Sequence, residues 1–126
     1  MDLSVFIEEE ILPALYFRLD SLLPEFELQH HRGHWQSHAR NKLKTDGTEG
    51  SSGGSVYVYQ NRPGVLKSFK ASSPSRNLVS YIAQRQNVDW VEAVRYLAQF
   101  SGLEWLWLWY LPWHSSSGGG KWISPN

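Results

Sequence analysis

An α+β fold is predicted from three features of this 126-residue sequence. Apolar residues recur at helical spacing over residues 5–22, an alternating β-rich tetrapeptide leads into a Pro-Gly turn, and two capped amphipathic segments follow. Together they predict a small antiparallel sheet with one N-terminal helix before it and a helical hairpin after it.

The helical series is Val5, Ile7, Ile11, Leu12, Leu15, Leu19 and Leu22. Pro13 either kinks this helix or divides it in two, and Pro24 ends it. Phe26 to Gln29 and His34 to Ser37 read as short strands around a turn at Arg32-Gly33. Residues 39–54, "ARNKLKTDGTEGSSGG", are polar and rich in Gly and Ser, so a mobile loop is expected there. Loops beyond about 12–15 residues tend to be functional or disordered. Val56-Tyr57-Val58-Tyr59 is the clearest strand, Asn61-Arg62-Pro63-Gly64 its turn, and Val65-Leu66 the start of the return strand. Ser75 is the expected N-cap of a helix from Arg76 to about Arg85, with Leu78, Val79, Ile82 and at its margin Tyr81 as the apolar stripe. Asp89 and Glu92 have capping-box spacing for a second helix, Trp90 to Phe100, closed by Gly102. Leu103 to Leu111 forms either a further short helix or an extended segment.

These elements make one domain over residues 1–113, and residues 114–126 have the composition of a flexible linker or tail. The chain contains no cysteine, which excludes disulfides and thiolate metal sites together. The N-terminus lacks a basic, cleavable leader, and the aromatic tract after Gly102 is shorter than the roughly 20 residues a spanning helix needs. A cytoplasmic location and no membrane partner are expected.

The net charge of zero conceals a partition. Residues 1–27 carry seven acidic side chains against Arg18 alone, whereas residues 28–86 carry nine basic ones against Asp46 and Glu49, a local balance of +7. A basic field of that kind attracts phosphate backbones or acidic proteins.

The order of strand, turn, strand, "NLVSYI" helix and "WVEAVRYLA" helix resembles the N-terminal zinc-binding domain of bacterial replicative primases of the DnaG type. That family pairs a C-x-x-C knuckle with a helix of the "VFSFL" kind and a second helix reading "F-x-E-A-V-R-W-L-A". Upstream, Gly33-His34-Trp35-Gln36-Ser37-His38 echoes its "Y-x-G-L-C-P-F-H" pattern, with His38 in the histidine-ligand place and Trp35 in that of the first cysteine. The resemblance covers residues 28–103, and the knuckle holds Lys67-Ser68-Phe69-Lys70 where cysteines would stand. It implies a zinc-ribbon-like sheet without metal, and loss of a structural zinc forfeits on the order of 10 kcal/mol that apolar burial must replace. The seven tryptophans are one source of that burial. His30, His34 and His38 would share one face of an unbroken strand, with Asp46 or Glu49 nearby, but solvated or hydrogen-bonded histidines are the simpler expectation. No metal and no cofactor are expected.

In the resembled domain the ribbon surface engages single-stranded template. The matching positions are Lys67 and Lys70 at the knuckle, with Arg62 in the turn and Arg76 at the helix start as charged neighbours. Single strands also need exposed rings for stacking, and Tyr57, Tyr59, Phe69 and Trp35 are the candidates. With Val56 and Val58 facing the core, alternation leaves Tyr57 and Tyr59 on the other face. Two other readings stand beside this one: tyrosines packed beneath the N-terminal helix with merely solubilising lysines, or a protein partner. In "LEWLWLWYLPWH", Trp105, Trp107 and Trp109 either complete the core or dock a partner, such as a primase catalytic domain or a helicase. The basic segment has no carboxylate pair for metal-dependent catalysis, and "SSSGGGK" lacks the first glycine and the Ser/Thr of a P-loop. The expectation is therefore a non-enzymatic module that binds single-stranded DNA for a primase or primase-helicase. Degenerate copies of this kind suit phage or mobile-element replication, by analogy. The alternative is a protein-interaction module docking through residues 103–113.

Overall fold

The computed structural model describes residues 3–68 and 75–104. Its N-terminal rod consists of α1 (Leu3–Phe6), a π-helical turn (Ile7–Ile11) and α2 (Leu12–Tyr16). The wide turn has a cause in Pro13, which lacks an N–H and whose ring would collide with the Glu9 carbonyl in a regular helix. The Leu12 N–H reaches back to the Ile7 oxygen, which opens the turn just before the ring and lets the rod continue. The break comes after Tyr16, before α3 (Leu19–Leu22) and a 3-10 turn (Pro24–Phe26).

Five strands then form an antiparallel meander in chain order: β1 (Leu28–His31), β2 (His34–Ser37), β3 (Val56–Tyr59), β4 (Val65–Ser68) and β5 (Arg76–Asn77). The register sets Trp35 opposite Val58, Gln36 opposite Tyr57, Tyr57 opposite Lys67 and Leu66 opposite Arg76. Two sequence expectations need correction here. Lys67 and Ser68 continue the return strand instead of forming a knuckle, because β3 still has Val56 and Tyr57 to pair with them. Ser75 does not cap the first helix. Arg76 and Asn77 are drawn into the sheet as β5, so α4 (Leu78–Gln86) starts later and takes Asn77 as its cap, whose side chain accepts the Ser80 N–H at 3.1 Å.

Helix α5 (Trp90–Phe100) begins as its sequence dictates, with Asp89 accepting the Glu92 N–H at 2.8 Å. It ends at Gly102, whose φ of 81° allows Leu103 to bond back to Ala98. Asn87, at φ 57°, closes α4 by the same device.

One face of the sheet supplies the core. Leu28, Trp35, Val56, Val58 and Leu66 meet Phe6, Ile11, Leu15, Leu19 and Leu22 of the N-terminal segment and Leu78, Ile82, Val94 and Leu97 of the helical hairpin. Burying each such large side chain contributes about 1.5–3 kcal/mol. Among the described tryptophans only Trp35 joins the core, for Trp90 is 42% exposed. The aliphatic rod, more than the tryptophans, fills the described interior.

Residues 39–54 are also more structured than their composition suggested. Leu43 and Glu49 pair across a small hairpin. The buried Asn41 anchors its base, donating to the Glu25 carbonyl at 2.8 Å and the Glu27 carboxylate at 3.0 Å while accepting the Leu43 N–H. Gly53 returns the chain so close to the Ala39 carbonyl that a Cβ there would collide with backbone. No described helix is long and apolar enough to cross a membrane.

Candidate nucleic-acid interface

Alternation along the strands divides the candidate residues between two faces. Val56 and Val58 are fully buried, so Tyr57 and Tyr59 project from the opposite, outer face, the first half-buried and the second 39% exposed. The register adds His34 beside Tyr59, Gln36 beside Tyr57, and Lys67 on the far side of Tyr57. The result is a row of rings: His31 on His34 at 5.2 Å, His34 on Tyr57 at 5.5 Å and Tyr57 on Tyr59 at 6.1 Å, each pair near parallel. The Lys67 ammonium lies 5.8 Å from the Tyr59 ring centre, within cation–π range.

The turns at one end of this face bring two more cations. The Gln60 N–H bonds to the Gly33 carbonyl at 2.9 Å, so the β1–β2 turn carrying Arg32 adjoins the β3–β4 turn carrying Arg62. Among the described residues neither arginine, nor Lys67, has a carboxylate within 4 Å. Much of the remaining basic charge is already matched. Arg40 meets Glu27 at 2.6 Å and Arg85 meets Glu25 at 2.8 Å, so acids from the N-terminal segment neutralise bases downstream. The Arg40 bond, with help from Asn41, holds the Glu27 carboxyl below its ordinary range.

Lys67, Arg62, Tyr57 and Tyr59 are thus brought together, and two other candidates are not. Trp35 faces inward, 8% exposed, with its indole N–H donating to the Tyr16 carbonyl at 2.7 Å, so its ring cannot stack on a base. Arg76 shares the inner side with the fully buried Leu66, separated from the tyrosines by the sheet. Its guanidinium donates to the Thr45 carbonyl and the Gln84 side chain. Lys70, Phe69, Trp105, Trp107 and Trp109 lie outside the described residues. His31, His34 and Arg32 were missed as parts of this face, and only the hairpin register would have revealed them. That same hairpin separates the three histidines: His30 bonds to the Tyr16 hydroxyl at 2.9 Å, His34 stacks on the outer face and His38 accepts the Arg40 N–H. No group of three metal-ligating side chains occurs among the described residues.

What this face offers chemically is π-surface for flat rings beside cations that, among the described residues, have no carboxylate within 4 Å. Comparison with known proteins adds no neighbour: no family model, curated protein or solved structure matches the chain.

Proposed function

We propose that this chain is a single-stranded DNA-binding module that holds template for a primase or primase-helicase through the outer face of its sheet. The observation that carries the reading is the row of stacked rings, His34, Tyr57 and Tyr59, running beside the Lys67 ammonium. Base stacking on aromatic side chains is worth about 1–3 kcal/mol per base, and cations flanking the rings take the phosphates between stacked bases. Lys67, Arg62 and Arg32 serve as those cations.

The primase parentage rests on the resemblance in element order and on the "WVEAVRYLA" sequence of α5. On this reading the chain is a zinc-less relative of the primase zinc-binding domain, in which apolar packing does the work of the ion. Trp35, at the place of the first cysteine, is one of the packed residues. Polymerisation belongs to a separate catalytic domain, and a phage or mobile-element setting suits so degenerate a copy.

Fluorescence anisotropy with short single-stranded oligonucleotides over a range of salt concentrations tests this. Binding should weaken with salt, log K falling by about 0.7 per neutralised phosphate. Lys67→Glu should weaken it for every sequence, and a Tyr57→Ala, Tyr59→Ala double variant should weaken it further. Affinity indifferent to all three changes would rule out this face.

A further inference from the structure

A groove of about 670 Å³ lies on the inner side of the sheet, where α3 and Pro24 approach the Leu43–Glu49 hairpin and α4. That volume falls in the range of about 300–1,000 Å³ common to small-molecule sites. Its charged groups differ in how far they are already occupied. Glu25 accepts from the Tyr81 hydroxyl at 2.6 Å and from Arg85 at 2.8 and 3.1 Å, so that carboxylate and that guanidinium satisfy each other. Asp46 is held by the Thr48 hydroxyl and N–H, with the Lys44 ammonium at 4.0 Å.

Arg76 is different. Its partners are neutral oxygens, the Thr45 carbonyl at a long 3.4 Å and the Gln84 side chain, and among the described residues no carboxylate lies within 4 Å of it. The Arg76 guanidinium carbon lies over the ring of Tyr81, 5.9 Å from its centre and within cation–π range. Among the described residues Arg76 is therefore the groove cation with no carboxylate partner, and the groove is also lined by Leu22, Pro24, Leu43 and Tyr96.

We propose that this groove binds a small molecule joining an anionic group to a planar ring, with the anion on Arg76 and the ring against Tyr96 and Leu43. That chemistry is shared by nucleoside monophosphates and aromatic carboxylic acids. A guanidinium fork suits a phosphate or a carboxylate equally, and the apolar walls remove a flat ring from water. The site is separate from the outer face and does not depend on DNA binding there.

Amide NMR titrations of the full chain test it, using adenosine monophosphate and indole-3-acetate as probes, with adenosine and inorganic phosphate as half-ligands. Saturable shifts at Leu43, Gln84 and Tyr96 are expected with at least one complete probe, and each half-ligand should bind more weakly. Arg76→Gln should weaken the complete probe roughly ten-fold or more, as loss of a charged hydrogen-bonding partner does, and Arg76→Lys should restore part of that affinity. Should Arg76→Gln disturb the fold, Leu43→Glu supplies the same test by setting a negative charge on the ring's wall. If the adenosine monophosphate shifts fall at Tyr57 and Tyr59 instead, if neither probe saturates at the groove, or if the variants bind as the parent does, the proposal is wrong. Lys67→Glu, which tests the outer face, should leave the groove titration unchanged.

Discussion

The Tyr81 hydroxyl donates to the Glu25 carboxylate across 2.6 Å, joining α4 to the 3-10 turn that precedes the sheet. Arg85, one helical turn further along α4, grips the same carboxylate and the Leu22 carbonyl. Burial, reinforced by that carboxylate, pushes the Tyr81 phenol well above its ordinary value. A raised tyrosine gives stability that is complete below the unfolded-state pKa of about 10 and is lost as pH rises beyond it toward the folded-state value. The urea midpoint should therefore fall above that pH, and Tyr81→Phe should flatten the fall. The slope that remains belongs in part to Tyr16, whose phenol burial also raises. An identical alkaline slope in the variant would contradict the assignment.

Trp35 should behave as a core residue. Replacing it with Phe removes the N–H that satisfies the Tyr16 carbonyl and leaves a partial cavity, so chemical denaturation should show a loss of about 1–3 kcal/mol. Oligonucleotide affinity, measured where the variant remains folded, should be unchanged.

Gly53 should tolerate no side chain. The obstruction is backbone on both sides, the Ala39 carbonyl and the Asn41 oxygen, and so cannot swing aside. Gly53→Ala should cost about 1–3 kcal/mol, the usual range for overpacking, as read from its thermal midpoint.

The two helix caps can be tested without touching the core. Asn77→Ala and Asp89→Ala each remove a side-chain acceptor from a first-turn N–H, and each should cost about 1 kcal/mol in urea denaturation. The two sites cap different helices, so the losses should add in the double variant.

The helices were the most legible part of the sequence because their signals are local. Asp89, Glu92 and Gly102 lie in or directly beside one helix, and the structure uses Asp89 and Gly102 at its two ends. The alternation of Val56 to Tyr59 foretold which side chains face outward for the same reason. Ser75 misled because it is as good a cap as Asn77, and only the long-range pairing of Arg76 with Leu66 decides between them. The same pairing moved Arg76 away from the tyrosines, so one misplaced boundary carried a candidate cation to the wrong side of the sheet. Trp35 was misjudged by residue type. Its aromatic ring suits stacking in either setting, and nothing local encodes the Tyr16 carbonyl that receives its N–H. Residues 39–54 looked featureless because Asn41 organises them through partners in another segment.

The parity of β3 has an evolutionary consequence. Even-numbered positions hold the molecule together while odd-numbered ones meet whatever lies outside, so selection can rewrite the second set with little change to the first. Diversifying positions 57 and 59, together with 67 on the neighbouring β4, should yield variants with altered preferences and near-parental melting behaviour, whereas inserting one residue within β3 would exchange the two sets and forfeit both.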